Sequence, residues 1–158
     1  MRAKSFLEIQ KEIIENYKIV IVENSTCKSR MHTHCDGTRR ICKWQPKNSI
    51  VATFDLLHEV GHIMTTTSKM RRVEAEFYAT IWAIERCKEY GLEIPTLILN
   101  RYQKYIDMEL DRGLRRGGAN YRNDYNIKIY NPKEIIELPI KEPKEVKIKK
   151  RRINILGD

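Results

Sequence analysis

Several features that would point to other protein classes are missing from this sequence of 158 residues. No apolar run approaches the about 20 residues that cross a bilayer, so we do not expect a membrane-spanning protein. The opening segment, "MRAKSFLEIQKEIIEN", has acids threaded through its apolar positions and is therefore interpreted as an amphipathic helix and not a signal peptide. The sequence has only four cysteines, so without a secretory signal we expect reduced thiols, a cytoplasmic location and no disulfide scaffold.

The composition is that of one globular domain with a basic end. A hydrophobic share of 41% beside a charged share of 32% is typical of a soluble chain that buries one core. The formal net charge is +9, and residues 141–158 hold seven bases against three acids. We expect a domain over residues 1–140 and a basic tail over 141–158. The tail either keeps the protein soluble or contacts nucleic acid or an acidic partner.

Periodicity predicts a compact α+β fold in which a small antiparallel sheet packs against several helices. Helices are predicted over residues 5–16, from Asn48 or Ser49 to about Met64, from Ser68 to Gly91, and from Pro95 to Gly117–Gly118. Strands are predicted over residues 18–23, 30–35, 38–44 and, in "YNIKIY", 125–130. Asp36-Gly37 predicts a hairpin between the second and third strands.

The segment "FDLLHEVGHIM" contains two of the four histidines of the chain, His58 and His62, with Glu59 directly after the first. Residues four apart on a helix lie on one face, so the two imidazoles can hold one metal ion. Zinc binds imidazole nitrogen readily, and a catalytic zinc keeps one position open for water. Glu59 is placed to act as general base on that water. The alternative is a pair of core histidines beside an unrelated acid, but a buried pair of this kind is costly unless something binds it. We therefore expect one zinc ion per chain.

The next helix offers two carboxylates as the third ligand, Glu74 and Glu76. At 100° per residue, Glu74 lies at the edge of the large apolar stripe of this helix, whereas Glu76 lies on the other side of Val73. The pattern favours Glu74. Glu76 is the alternative, and for either residue an exposed helix acid beside Arg71 and Arg72 is the ordinary structural role.

The stretches "ATFDLLHEVGHIM" and "VEAEFYAT" resemble the active-site helices of the ImmA/IrrE-type zinc metallopeptidases, a minimal gluzincin-like family. The similarity covers residues 17–91, and it rests on H-E-x-x-H together with E-A-x-x-[FY]-A. It implies His58, His62 and Glu74 as zinc ligands and Glu59 as the catalytic residue. It also implies cytosolic cleavage of a specific protein, often a DNA-binding repressor. The sequence departs from the family in its short interval between His62 and Glu74 and in lacking a helix-turn-helix domain.

Further residues could serve the same chemistry. Asp55, three residues before His58, could hydrogen-bond a ligand imidazole or face solvent. The oxyanion of an attacked carbonyl needs a donor, for which the candidates are His32, His34, Tyr78, Tyr105 and Tyr121. A second, structural zinc has the candidate ligands Cys27, His32, His34, Cys35 and Cys42. Cys87 is interpreted as a core residue.

The function predicted from the sequence is that of a zinc-dependent metalloendopeptidase acting on a protein inside the cell. The alternative is a non-catalytic zinc-containing module that binds nucleic acid or a protein partner through its basic surface. Glu59 favours the enzyme, because a binding module has no need of a carboxylate at that position.

Overall fold

The structure is a computed structural model that describes residues 2–23, 31–33 and 38–115. In these residues the helices are α1 (Phe6–Asn16), α2 (Ile50–Thr65), α3 (Arg72–Glu89) and α4 (Thr96–Arg115). The strands are β1 (Ile19–Val22), β2 (Met31–Thr33) and β3 (Arg39–Cys42). The predicted strand 125–130, the end of the last helix at Gly117–Gly118 and the tail 141–158 lie outside the described residues. Among the described residues, no helix is both long and apolar enough to span a membrane.

The fold mixes helices and strands as predicted, but the sheet is not purely antiparallel. Its strand order is β1-β3-β2. The predicted neighbours β2 and β3 pair antiparallel, with His32 opposite Arg40. In contrast, β1 pairs parallel with β3, with Ile19 opposite Arg39. The expectation of an antiparallel sheet is therefore corrected to a mixed sheet. Apolar alternation in "KIVIVE" predicts a strand, but it contains no information about the direction of its neighbour.

Local capping explains where the first two helices begin. Ser5 and Glu8 form a capping box at the start of α1. At the start of α2 the hydroxyl of Ser49, one of the two predicted caps, accepts a hydrogen bond from the amide of Ala52 at 3.1 Å. The predicted start of α3 at Ser68 is wrong, since α3 begins at Arg72 and residue 71 occupies its N-cap position.

Buried polar contacts hold α2 against the rest of the domain. Gln10 of α1 is 1% exposed, and its amide nitrogen donates to the Lys47 carbonyl at 2.7 Å and to Thr53 Oγ1 at 2.9 Å. The indole nitrogen of Trp44 donates to the Ala52 carbonyl at 2.9 Å. These bonds tie the start of α2 to α1 and to the segment after β3. Helix α2 contributes Phe54, Leu56 and Leu57 to the buried core, which also includes Ile13, Ile41, Phe77, Ile84, Leu99 and Ile106.

Candidate metal centre

Helices α2 and α3 bring three potential metal ligands together, His58, His62 and Glu76. The Nε2 atoms of the two histidines are 3.0 Å apart. Oε2 of Glu76 lies 3.1 Å from Nε2 of His58 and 3.3 Å from Nε2 of His62. Tetrahedral zinc with bonds of about 2.0–2.1 Å separates its ligand atoms by roughly 3.3 Å. The three atoms therefore have nearly the spacing of one face of a zinc coordination tetrahedron.

Two threonine hydroxyls occupy the other edges of the imidazole rings. Thr80 Oγ1 donates to the Glu76 carbonyl at 2.7 Å and lies 3.3 Å from Nδ1 of His58. The Thr80 oxygen is then free to accept from Nδ1–H of His58. Nδ1 of His62 lies 3.1 Å from Thr66 Oγ1. A ring that donates through Nδ1 directs the lone pair of Nε2 towards the cluster, as metal-binding histidines do.

The electrostatics of the cluster favour a bound cation. Burial lowers the pKa of His58 below its ordinary value, so the imidazole is neutral and keeps its lone pair. Burial opposes ionisation of Glu76, but hydrogen bonding to His58 and His62 outweighs it and holds the pKa of Glu76 below its ordinary value. An Nε2–H of either ring can donate to Glu76, but when both rings donate through Nδ1, two lone pairs and a carboxylate converge in a largely buried space. Acceptors that face each other without a donor or a cation are costly.

The three potential ligands differ in their exposure to solvent. The side chain of His58 is 6% exposed, that of His62 is 12% exposed and that of Glu76 is 19% exposed. The cluster is thus closed on the His58 side and reached from solvent on the side of Glu76. Water or a substrate could therefore reach an ion held by these three side chains from the side of Glu76.

The third ligand differs from the one predicted. Glu74 is buried, with 5% exposure, but its Oε1 accepts a hydrogen bond from Nε of Arg71 instead of approaching the histidines. It also lies in the first turn of α3, where the helix dipole stabilises a carboxylate. The expectation that Glu74 joins His58 and His62 is therefore corrected: Glu76 occupies that place.

The correction has a steric cause. Gly61 of α2 lies so close to α3 that a Cβ added there would be 2.6 Å from the backbone oxygen of Ala79. Such an approach requires the small-residue side of α3, which also presents Glu76 and Thr80. The large apolar stripe that favoured Glu74 lies elsewhere around the helix. The signal in the sequence was the glycine inside HEVGH together with an alanine and a threonine one turn after Glu76.

Glu59 is nearly buried, with 7% exposure, in the middle of α2. It follows His58 directly, about 100° further round the helix axis. Burial raises the pKa of the Tyr102 phenol most, the nearby charge of Asp55 raises it next, and the charge of Glu59 adds a smaller increase. The predicted general base is therefore held inside the domain, next in the chain to a ligand of the candidate metal.

Asp55 contacts neither ligand imidazole and does not simply face solvent. Its Oδ1 accepts hydrogen bonds from the Tyr102 hydroxyl and, at 2.7 Å, from Nη2 of Arg101. The ring of Tyr102 lies 4.6 Å, centroid to centroid, from the ring of His58. The link from Asp55 to His58 thus passes through the aromatic ring of Tyr102 in α4.

The remaining candidates are dispersed or lie outside the described residues. Tyr78 is 4% exposed and packs on Phe77, and Tyr105 is 46% exposed with its ring 5.7 Å from that of Tyr102. His32 lies in β2, and Cys42 is fully buried at the end of β3. The candidates outside the described residues are Cys27, His34, Cys35 and Tyr121. Cys87 is fully buried in the core, as predicted.

Comparison of the chain with protein-family models, with curated proteins and with solved structures gives no match. The resemblance to the ImmA/IrrE-type peptidases therefore stays a prediction from the two motifs.

Proposed function

We propose that the protein is a zinc-dependent metallopeptidase that cleaves a protein inside the cell. The observation that supports this most directly is the convergence of Nε2 of His58, Nε2 of His62 and Oε2 of Glu76 within 3.0–3.3 Å of one another. Two imidazoles and one carboxylate form a donor set found in catalytic zinc sites, in which a fourth position is left for water or substrate. A DNA-binding repressor is the substrate class that the resemblance implies.

In this proposal the residues of the chain have separate tasks. His58, His62 and Glu76 would hold the ion, and the hydroxyls of Thr80 and Thr66 each restrain the Nδ1 edge of one imidazole. A zinc ion held there would supply Lewis-acid polarisation of a carbonyl and would lower the pKa of bound water to near neutral pH. Glu59 accepts the proton of the attacking water and can return it to the leaving amine. Its burial keeps the carboxylate away from bulk solvent.

The first test of the proposal is metal content. Protein purified without added metal is expected to contain one zinc ion per chain by elemental analysis. A stoichiometry near zero, with no uptake of added Zn²⁺, would contradict the proposal, including its non-catalytic alternative.

The second test separates an enzyme from a binding module through Glu59→Gln. This nearly isosteric change removes the proton acceptor, so cleavage should fall on the order of 100- to 10,000-fold while zinc content stays the same. New N-termini in a host-cell extract, identified by mass spectrometry, report the cleavage. Glu85→Gln is the matched control, because Glu85 is a partly exposed acid of α3 whose carboxylate pairs with Arg86. Equal product patterns for the wild type and Glu59→Gln would leave only the binding-module alternative.

A further inference from the structure

Tyr102 of α4 lies between two aromatic rings of α2. Its ring centroid is 4.9 Å from that of Phe54, with 61° between the planes. It is 4.6 Å from the His58 centroid, with 49° between the planes. Phe54 and His58 are four residues apart, so they share one face of α2 and form a slot for the phenol ring. Tyr102 is 3% exposed and therefore covers His58 from the α4 side.

The position of the Tyr102 ring is set at its far end by Asp55. The phenol hydroxyl donates to Asp55 Oδ1, which also accepts from Nη2 of Arg101 at 2.7 Å. Asp55 lies on α2 between Phe54 and His58, so the same helix supplies the slot and the anchor. The Arg101 guanidinium forms an ion pair with this carboxylate, which is partly buried.

We infer that Tyr102 and Asp55 are positioning residues for the metal ligand His58. An imidazole rotates about a broad, roughly two-fold torsion, so its edge must be held if Nε2 is to face the cluster. The contact of Nδ1 with Thr80 is long, at 3.3 Å, and restrains one edge only. Packing of Tyr102 restrains the face of the ring. The inference rests on the proposed metal site for its chemical consequence, although the restraint on the ring does not depend on metal.

Two substitutions at Tyr102 separate the ring from its hydroxyl. Tyr102→Leu removes the packing surface, and Tyr102→Phe keeps the ring but removes its bond to Asp55. We expect the affinity for Zn²⁺, measured by competition with a chelator of known affinity, to fall about 10-fold or more in Tyr102→Leu. In Tyr102→Phe the affinity for Zn²⁺ should fall less, because this conservative variant keeps the aromatic ring. Asp55→Ala should lower the affinity at least as much as Tyr102→Phe, because it also removes the partner of Arg101. The double variant should be no worse than Asp55→Ala alone, because Tyr102→Phe removes only a bond that Asp55→Ala removes as well.

Tyr90→Phe is the matched control. It removes a tyrosine hydroxyl that hydrogen-bonds to Asn16 at the other end of α3, away from the cluster. The affinity of this variant for Zn²⁺ should equal that of the wild type. If Tyr102 only contributed packing to the core, Tyr102→Leu would lower the thermal stability but leave the affinity for Zn²⁺ at the wild-type value, and the inference would be contradicted.

Two spectroscopic measurements report the ligand geometry directly. With Co²⁺ in place of Zn²⁺, the visible absorption bands should shift in Tyr102→Leu and stay unchanged in Tyr90→Phe. In metal-free protein, ¹⁵N resonances should show a single tautomer for His58 in the wild type and an averaged or doubled signal in Tyr102→Leu. If Tyr102→Leu does not fold, the Co²⁺ bands and the His58 resonances are measured in Tyr102→Phe and Asp55→Ala instead. A shift in these variants supports the inference, and unchanged signals contradict it.

The outcomes distinguish this inference from the proposed function. Wild-type protein that binds Zn²⁺, with unchanged affinity, Co²⁺ bands and His58 resonances in every Tyr102 variant, would overturn the inference and leave the metal site standing. Wild-type protein that binds no metal would overturn the proposed function. In that case the metal-free resonances of His58 decide the inference: altered signals in Tyr102→Leu support the positioning role, and identical signals overturn it.

Discussion

At the residue scale, two glutamates separated by one alanine have different partners. Glu74 pairs with Arg71 at the start of α3, whereas Glu76 contacts both histidines of α2. Glu74 is stabilised by a guanidinium and by the helix dipole, whereas Glu76 faces the Nε2 atoms of two imidazoles and gains most from a donor proton or a cation between them. A metal ion would replace the imidazole contacts of Glu76 by a stronger interaction and would leave Glu74 unaffected.

Matched substitutions of the two glutamates test this assignment. Glu76→Gln should lower the affinity for Zn²⁺ by more than the roughly 10- to 100-fold that loss of a supporting residue costs. Glu74→Gln removes the charge that pairs with Arg71, so it should reduce stability but leave metal binding near the wild-type value. Chelator competition measures the affinity, and urea unfolding measures the stability. Loss of metal in Glu74→Gln with retention in Glu76→Gln would restore the ligand set that the resemblance implied.

At the scale of elements, the distance between α2 and α3 determines whether the three ligands can share one ion. That distance is set where Gly61 meets Ala79, since no side chain separates the two backbones there. Near the end of α2, the Thr65 hydroxyl donates a hydrogen bond to the Gly61 carbonyl at 2.7 Å. The geometry of the candidate metal centre therefore depends on a helix contact that contains none of its three potential ligands.

Gly61→Ala tests the coupling between the helix contact and the cluster. Alanine favours a helix interior over glycine by about 1 kcal/mol, but its Cβ would lie 2.6 Å from Ala79 O and 3.0 Å from Ala79 Cα. Backbone atoms cannot move aside alone, so α3 must shift. We expect a net loss of about 1–3 kcal/mol in the free energy of unfolding, together with weaker Zn²⁺ binding.

Gly91→Ala is the control for this prediction. Its φ of +69° makes alanine unfavourable, yet a Cβ there meets nothing within 4 Å. It should lower stability without changing the affinity for Zn²⁺. Gly61→Ala protein with wild-type affinity would show that the helix spacing does not set the ligand geometry.

At the scale of the whole molecule, one core joins all four described helices to the sheet. Cys87 of α3 is fully buried in it, and burial raises the pKa of its thiol from 9.0 to about 12. The unfolded chain therefore loses this proton at lower pH than the folded protein. The contribution of Cys87 to stability is complete below about pH 9 and decreases as the pH rises towards 12.

The consequence is measurable by comparing the wild type with Cys87→Ala. Between pH 9 and about pH 10.5, the wild type should lose about 2 kcal/mol of unfolding free energy that Cys87→Ala does not lose. Urea unfolding at several pH values gives both curves. Ionisation of other groups affects the two proteins alike, so their difference isolates the thiol. A difference that stays constant with pH would mean that the thiol is not protected by the core.

Short-range patterns of the sequence determined much of what was predicted correctly. The placing of His58, Glu59 and His62 on one helix follows from their spacing of one turn, which no distant contact can alter. Ser49 and Pro95 likewise predict where α2 and α4 begin, because capping and proline geometry involve only neighbouring residues. The catalytic role of Glu59 and the basic tail 141–158 as a nucleic-acid contact stay predictions.

The tertiary structure alone decided the parallel pairing of β1 with β3, the partner of Asp55 and the choice of Glu76 over Glu74. Each of these depends on which surfaces meet between segments distant in the chain. The apolar stripe of α3 indicated which residues are buried, but not which side of the helix faces α2. Close packing of Gly61 on Ala79 decided that orientation, since two helix backbones can approach so closely only where neither has a side chain of any size.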